Sequence, residues 1–251
     1  MTAGKISTRK VALLAVFIAL SAVIAEFVPG IPIIGVSGAS IKFDAAIAPI
    51  WGLILGPYLG ALAGFVGGVI VASSPFSVLT SLSTGASAFV AGAFTQEYFH
   101  FGKRKVRGWI VAALVLGFLI AGWYGTWIGQ RAPFYPSLHF LGLLLILGGR
   151  GSVARWSREN SKGKLLLAVP LASYAGIISD HMVGNLAFIT SVGLFIQIPP
   201  ELDLPALFMA VIPISAVERA VLTAIATLIG VSLILALQKA GLYVRDRNGE
   251  N

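Results

Sequence analysis

The chain has 251 residues, of which 57% are hydrophobic and only 11% are charged, and its net charge is +8. Soluble domains carry about 25% charged residues, so this composition predicts an integral membrane protein. The chain has no cysteine, which excludes disulfides, thiolate chemistry and cysteine-based metal sites. The basic excess lies in short loops beside apolar segments, where a lipid bilayer accounts for it, and no nucleic-acid partner is expected.

Eight apolar segments follow one another and predict about eight transmembrane helices. They cover residues 11–28, 43–56, 58–73, 76–97, 108–129, 137–149, 165–190 and 206–237. The second and third reach roughly 22 Å each at 1.5 Å per residue, less than the ~30 Å of hydrocarbon. We therefore expect them to form a tight hairpin of short helices around Pro57. Within the last segment, Pro213 predicts a break or the true start of the spanning helix.

Lys and Arg are sorted onto alternate sides of these segments. Fifteen of the 18 basic residues lie in four places. These are the amino terminus, the gap after the fourth segment, the gap after the sixth segment and the carboxy-terminal tail. We call these two connections the fourth and sixth gaps. The opposite side receives only Lys42 and Arg131, together with the acids Glu201 and Asp203. By the positive-inside rule, this sorting predicts an all-α, polytopic bundle in the plasma membrane with both termini in the cytoplasm.

Polar residues inside the apolar segments share one depth, in the half that this topology places toward the outside. Such residues are costly in a membrane and usually mark a functional site. The candidate substrate-binding residues are Lys42, Asp44, Thr80, Thr84, Asp180, His181, Asn185, Glu218 and Arg219. They predict a polar pocket open to the extracytoplasmic side, with structural hydrogen bonding between helices as the alternative. Because acids outnumber bases, the pocket favours a cationic or amine-bearing ligand, or else contains a protonated carboxyl group.

Glu218 and Arg219 are neighbours on one predicted helix. Neighbouring residues point about 100° apart, so we expect each to find its partner on another helix. Asp180 is the expected partner of Arg219.

Two stripes of small residues predict close helix contacts. Gly56, Gly60, Gly64 and Gly68 recur every four residues and predict a packing seam within the fold. Ala12, Ala15, Ala19 and Ala22 form a single stripe on the first helix. This alanine stripe either packs within the fold or is a docking face for another membrane subunit. Four aromatic residues are expected in an interfacial belt, namely Trp123, Tyr124, Trp127 and Tyr135.

Three segments resemble one known family. Residues 10–24, residues 43–68 after a Pro-rich loop, and residues 213–222 are similar to the substrate-binding S component of energy-coupling factor (ECF) transporters. The resemblance implies a small helical membrane protein that captures a vitamin-like micronutrient from outside the cell. It further implies docking through Ala15 and Ala19, with Ala22 in the same stripe, and a lid formed by residues 29–42.

The family's partners are implied by the same resemblance. They are a transmembrane coupling subunit and two ATPase subunits, so ATP is hydrolysed by the partners and this chain is expected to be no enzyme and to hold no cofactor. The family has six helices. Residues 11–97 and 165–237 would then form the core of a single membrane domain spanning 1–251, and residues 108–149 an inserted helical hairpin.

Other functions are open at this point. The chain could be a stand-alone secondary transporter, which prefers inverted repeats and broken helices, or an assembly protein. A third alternative is an intramembrane hydrolase, because His181 and Asn185 have the spacing that places general acid–base chemistry on one helix face. The paired glutamates that accompany this spacing in one class of intramembrane proteases are missing from this sequence. The sequence leaves the identity of the substrate open.

Overall fold

A computed structural model describes residues 7–28, 31–32, 40–41, 43–159, 161–199 and 201–243. The helices in this part are α1 (Thr8–Phe27), α2 (Asp44–Leu55), α3 (Pro57–Ile70), α4 (Pro75–Thr95), α5 (Gly108–Tyr124), α6 (Trp127–Arg131), α7 (Ser137–Trp156), α8 (Lys162–Ser191), α9 (Leu204–Ala210) and α10 (Ile212–Lys239). Two small antiparallel sheets pair β1 (Ile31–Pro32) with β2 (Ser40–Ile41) and β3 (Tyr98–Phe101) with β4 (Arg104–Arg107).

The predicted all-α membrane bundle is confirmed, with two small sheets that the sequence did not indicate. Among the residues that the structure describes, five helices, α1, α4, α7, α8 and α10, are long and apolar enough to cross a membrane. The apolar helices α2, α3 and α5 are shorter, with 12, 14 and 17 residues. The number of eight spans and the cytoplasmic position of the termini therefore stay predictions.

Two predicted segment boundaries are wrong. The segment 108–129 divides because α5 ends at Tyr124, and Thr126 then caps α6 by accepting a hydrogen bond from the Gly129 amide at 2.9 Å. The segment 137–149 is too short, since α7 continues to Trp156 through a kink at Arg150, where φ is 41°. Basic residues assigned to the sixth gap thus lie on the last turns of a helix. The predicted break near Pro213 is confirmed, because α10 starts at Ile212.

Helix α8 lies at the centre of the bundle. It packs against α2, α4, α5, α7 and α10, and α4 in turn packs against α2, α3, α5 and α7. The α5–α7 hairpin therefore lies directly on α4 and α8. Its assignment as an insertion into a six-helix core stays a prediction.

The glycine stripe is a packing seam, as predicted. A Cβ atom on Gly60 would lie 2.6 Å from the Gly52 Cα, and one on Gly64 would lie 2.9 Å from the Thr84 carbonyl oxygen. These distances are too short for any side chain, so α3 approaches α2 and α4 through backbone contact. Gly56 has a different role, because its φ of 83° forms the turn between α2 and α3.

Within the described residues, helix α1 packs on the bundle through one side. The Phe17 ring stacks on Trp51 at 4.4 Å, and the Trp51 indole donates a 2.6 Å hydrogen bond to the Ser21 hydroxyl. Both Phe17 and Ser21 are buried, whereas Ala12, Ala15 and Ala19 are exposed and Ala22 is half-buried. Of the two alternatives for the alanine stripe, packing within the fold is therefore wrong for its exposed members.

Candidate functional site

The predicted polar residues gather at one end of the bundle. The carboxy-terminal half of α8 carries Asp180 and His181, the first turn of α2 carries Asp44, and the second turn of α10 carries Arg219. The charges of Asp44 and Arg219 both act on Asp180, and the charge of Arg219 also acts on His181. These groups therefore lie within electrostatic reach of one another, and their assignment to a substrate-binding site stays a prediction.

Tyr135 connects two of the predicted residues. Its hydroxyl lies 3.0 Å from the His181 Nε2 and accepts a hydrogen bond from the Asn185 Nδ2 at 2.8 Å. Because the hydroxyl has a single proton, the arrangement that uses each group has Tyr135 donating to His181. Burial raises the pKa of the Tyr135 phenol above its ordinary value, so the hydroxyl keeps the proton that it donates. His181 and Asn185 converge on this hydroxyl instead of on each other.

His139, in the first turn of α7, completes the cluster. Its ring stacks on His181 with centroids 5.3 Å apart and planes 14° apart. His139 is fully buried, and within the described part of the chain neither of its ring nitrogens has a hydrogen-bond partner. An unpartnered polar group in an apolar interior is costly, so a bound molecule that could pair with these nitrogens would stabilise the site. We name Tyr135, His139, His181 and Asn185 the histidine cluster.

The expectation that Glu218 and Arg219 do not pair with each other is wrong. The Arg219 Nη2 donates to the Glu218 Oε2 at 3.0 Å, and both side chains are buried. The two long side chains bend toward each other despite their 100° separation, because in a poorly hydrated interior two buried charges gain more from pairing than from pointing apart. The Arg219 Nε is buried without a partner in the described region.

The expected ion pair between Asp180 and Arg219 is likewise wrong, since Arg219 takes Glu218 as its partner. Asp180 is 8% exposed and lies beside Ser83. Its Oδ1 is buried and, among the residues described, has no hydrogen-bond partner. This carboxylate therefore has an unused acceptor in the middle of the polar region.

Thr80 and Thr84 have partners within the helices. The Thr80 hydroxyl donates to the Ser77 carbonyl at 3.0 Å, and the Thr84 hydroxyl donates to the Gly64 carbonyl on α3, also at 3.0 Å. Thr84 and Asp44 also line a narrow cleft between α1, α2, α3 and α4 that is partly open to the surface. Lys42 lies outside the described residues, as does most of the predicted lid.

Sequence reasoning missed Tyr135 and His139, and it placed Trp123 and Tyr135 in an interfacial belt. That placement is wrong for these two residues, because Trp123 is fully buried and Tyr135 is 3% exposed. The Trp123 ring packs 4.6 Å from Tyr135, and its indole donates to the Ala132 carbonyl. Trp127, 54% exposed, fits the belt. No three His, Asp or Glu residues of the described regions are arranged to hold a metal ion.

Replacing Tyr135 by Phe should destabilise the fold by about 1–3 kcal/mol, because it leaves the buried Asn185 amide and His181 imidazole without their shared partner. The matched control is Tyr124→Phe, which removes a hydroxyl that donates to the Pro133 carbonyl at an exposed position. Thermal unfolding in detergent measures both. Equal losses of stability in the two variants would show that Tyr135 does not hold the histidine cluster together.

A comparison with protein families matches residues 5–131 to the family described as ECF-type riboflavin transporter, S component. The match covers half of the chain and includes α1 to α6. It therefore contains the alanine stripe and the cleft, whereas His139, Asp180 and Arg219 lie beyond it. No solved structure matches this chain significantly.

Curated relatives extend the similarity further along the chain. The UPF0397 protein str0306 of Streptococcus thermophilus is 30% identical over 173 residues, which are 66% of this chain and 92% of the relative. The uncharacterised protein MJ0923 of Methanocaldococcus jannaschii is 27% identical over 195 residues, which are 75% of this chain. That match spans only 59% of the length of the archaeal protein.

Proposed function

The chain belongs to the S-component family of ECF-type riboflavin transporters, and we propose that it captures a small vitamin-like solute from the extracytoplasmic side of the cell membrane. Family membership and the five long apolar helices make it a multi-pass membrane protein of a transport family. In the proposed cycle a transmembrane coupling subunit and two ATPase subunits supply the energy. This chain would hold no cofactor, and ATP would be hydrolysed by the partners.

The observation that carries the proposal is a group of unpartnered polar atoms at one end of the bundle, which holds five of the nine such side-chain atoms in the described residues. The Asp180 Oδ1, the Arg219 Nε and the His139 ring nitrogens are all buried, and none has a partner in the described part of the protein. Buried polar groups are normally hydrogen-bonded, so their concentration in one place favours a binding site over packing. We assign this end to the extracytoplasmic side because the positive-inside rule predicts that orientation.

The proposed docking surface is the exposed face of α1. Ala15 and Ala19 are exposed, while the opposite face of α1 is held by Phe17 and Ser21. Small residues let two helices approach closely in lipid, where packing is the main source of association energy. An exposed stripe of this kind supports contact with another membrane subunit.

Mass spectrometry of the small molecules carried through purification of the detergent-solubilised protein tests the capture role. Riboflavin, named by the family, is the first compound for direct titration. We expect one stoichiometric compound, and its loss in Asp180→Asn, since that substitution weakens the unused acceptor. The control Glu26→Gln changes an exposed acid at the outer end of α1 and should leave the compound in place.

Two results would contradict this proposal. Equal retention in Asp180→Asn and in Glu26→Gln would place the binding site away from Asp180. An empty protein that catalyses gradient-driven uptake in liposomes without an ATPase would identify a secondary transporter instead.

A further inference from the structure

The hairpin of β3 and β4 lies at the end of the bundle opposite the histidine cluster. Directly opposed residues of an antiparallel pair lie on one face, so Phe99 and Val106 share a face, while His100 and Lys105 share the other. Phe99 is 3% exposed and packs against the Tyr58 and Phe89 rings, with centroids 5.8 and 6.3 Å away. The hairpin is therefore a fixed element, attached through its apolar face to α3 and α4.

The opposite face of the hairpin is basic. Lys105 and Arg107 on this face are exposed, and so are Lys103 and Arg104 at the turn. At the base of the hairpin, Glu97 pairs with Arg158 in the connection between α7 and α8. This ion pair brings the exposed residues of that second loop beside the hairpin. Residues 97–107 and 150–164 together contain nine Lys and Arg against two Glu.

The basic surface lies where lipid headgroups must be. Trp109 lies in the first turn of α5 and Trp156 ends α7, and the Lys164 ammonium lies 5.7 Å from the centre of the Trp156 ring. Tryptophan is enriched at the level of the headgroups. Farther along the same helices, Leu114 and Leu144 are 67% and 64% exposed, as expected of side chains in contact with hydrocarbon.

We propose that this basic surface, formed by the β3–β4 hairpin and the α7–α8 connection, binds the phosphate groups of anionic lipids in the leaflet on its own side. Charge complementarity and position favour lipid over an acidic protein, because the surface continues directly from the lipid-exposed faces of α5 and α7. Each basic residue near an anionic membrane surface strengthens binding about fivefold. The inference is independent of the substrate site.

Titration of phosphatidylglycerol against phosphatidylcholine tests the proposal on the full-length protein in detergent, with thermal unfolding and native mass spectrometry as readouts. We expect phosphatidylglycerol to bind the protein and raise its unfolding temperature. We expect phosphatidylcholine to do neither. The variant Lys105→Gln/Arg107→Gln should lose about 25-fold in affinity for phosphatidylglycerol. Lys105→Arg, which keeps the charge and confirms correct folding, should bind normally.

The matched control is Arg9→Gln/Lys10→Gln, which removes two charges at the start of α1, on the same side of the membrane by the charge pattern. If both double variants lost the same affinity for phosphatidylglycerol, the effect would come from net charge alone and the proposal would be overturned. Competition by inorganic phosphate at an equal concentration would indicate a soluble ligand and also overturn it. The same conclusion would follow if the hairpin variant kept its lipid binding but lost association with the coupling and ATPase subunits.

Discussion

Replacing Ala15 or Ala19 by Trp is expected to reduce ATP-driven uptake to the level of cells without a coupling subunit, while solute binding to the isolated protein stays unchanged. Both positions are exposed on α1, so a bulky side chain meets nothing within the fold. It would instead hold the partner helix away, and close approach is the basis of helix association in lipid. Uptake in cells that carry the partner subunits, compared with titration of the purified variant, separates the two effects.

Leu20→Trp is the matched control for this prediction. Leu20 is 40% exposed on the same helix, and as the neighbour of Ala19 it points about 100° away from it. A bulky residue there would face lipid in the proposed complex and should leave uptake intact. Normal uptake in the Ala15 and Ala19 variants would rule out the stripe as the docking surface, whatever the substrate is.

The positions of the helices could be predicted because hydropathy and charge sorting are strong signals in a membrane protein. The apolar segments correspond to the eight longest helices, and the glycine spacing correctly identified the seam along α3. The ends of α5 and α7 were missed for a local reason. A single capping residue, Thr126, starts a new short helix, and the basic residues after Gly149 continue the helix that hydropathy alone would end.

The histidine cluster was half predictable. His181 and Asn185 are conspicuous because polar residues are rare inside an apolar helix. Tyr135 and His139 carry no comparable signal, since a Tyr near a loop is equally typical of an interfacial belt. Only the packing of the α5–α7 hairpin against α8 brings the Tyr135 hydroxyl to within 3.0 Å of His181.

The pairing of Glu218 with Arg219 shows why helical geometry alone misled the prediction. The rule that neighbours do not face each other concerns Cβ positions, whereas the paired atoms lie three bonds beyond Cβ in Glu218 and five in Arg219. In water such a pair gains little from meeting, but within the bundle the alternative is an unpaired buried charge. The burial of α10 against α8 therefore decided a contact that the sequence does not encode locally.

Replacing Glu218 by Gln is expected to destabilise the protein by about 3–5 kcal/mol, because the Arg219 charge stays buried without its partner. For a chain of this size the unfolding temperature should fall by roughly 10 °C. Arg219→Gln should cost a similar amount for the converse reason. The double variant Glu218→Gln/Arg219→Gln should lose clearly less than the sum of the two, since no unpaired charge remains, and thermal unfolding in detergent completes the double-mutant cycle.

Glu97→Gln provides the internal comparison, because it removes one partner of the Glu97–Arg158 pair, in which the Glu97 side chain is 52% exposed. An exposed pair contributes about 0–1 kcal/mol, so this variant should unfold almost like the original protein. If Glu218→Gln were equally mild, water or a bound molecule would have to reach Arg219. The double variant then separates stability from binding. If Glu218→Gln/Arg219→Gln is stable but no longer retains a co-purified solute, the two charges are needed for solute capture and not for folding.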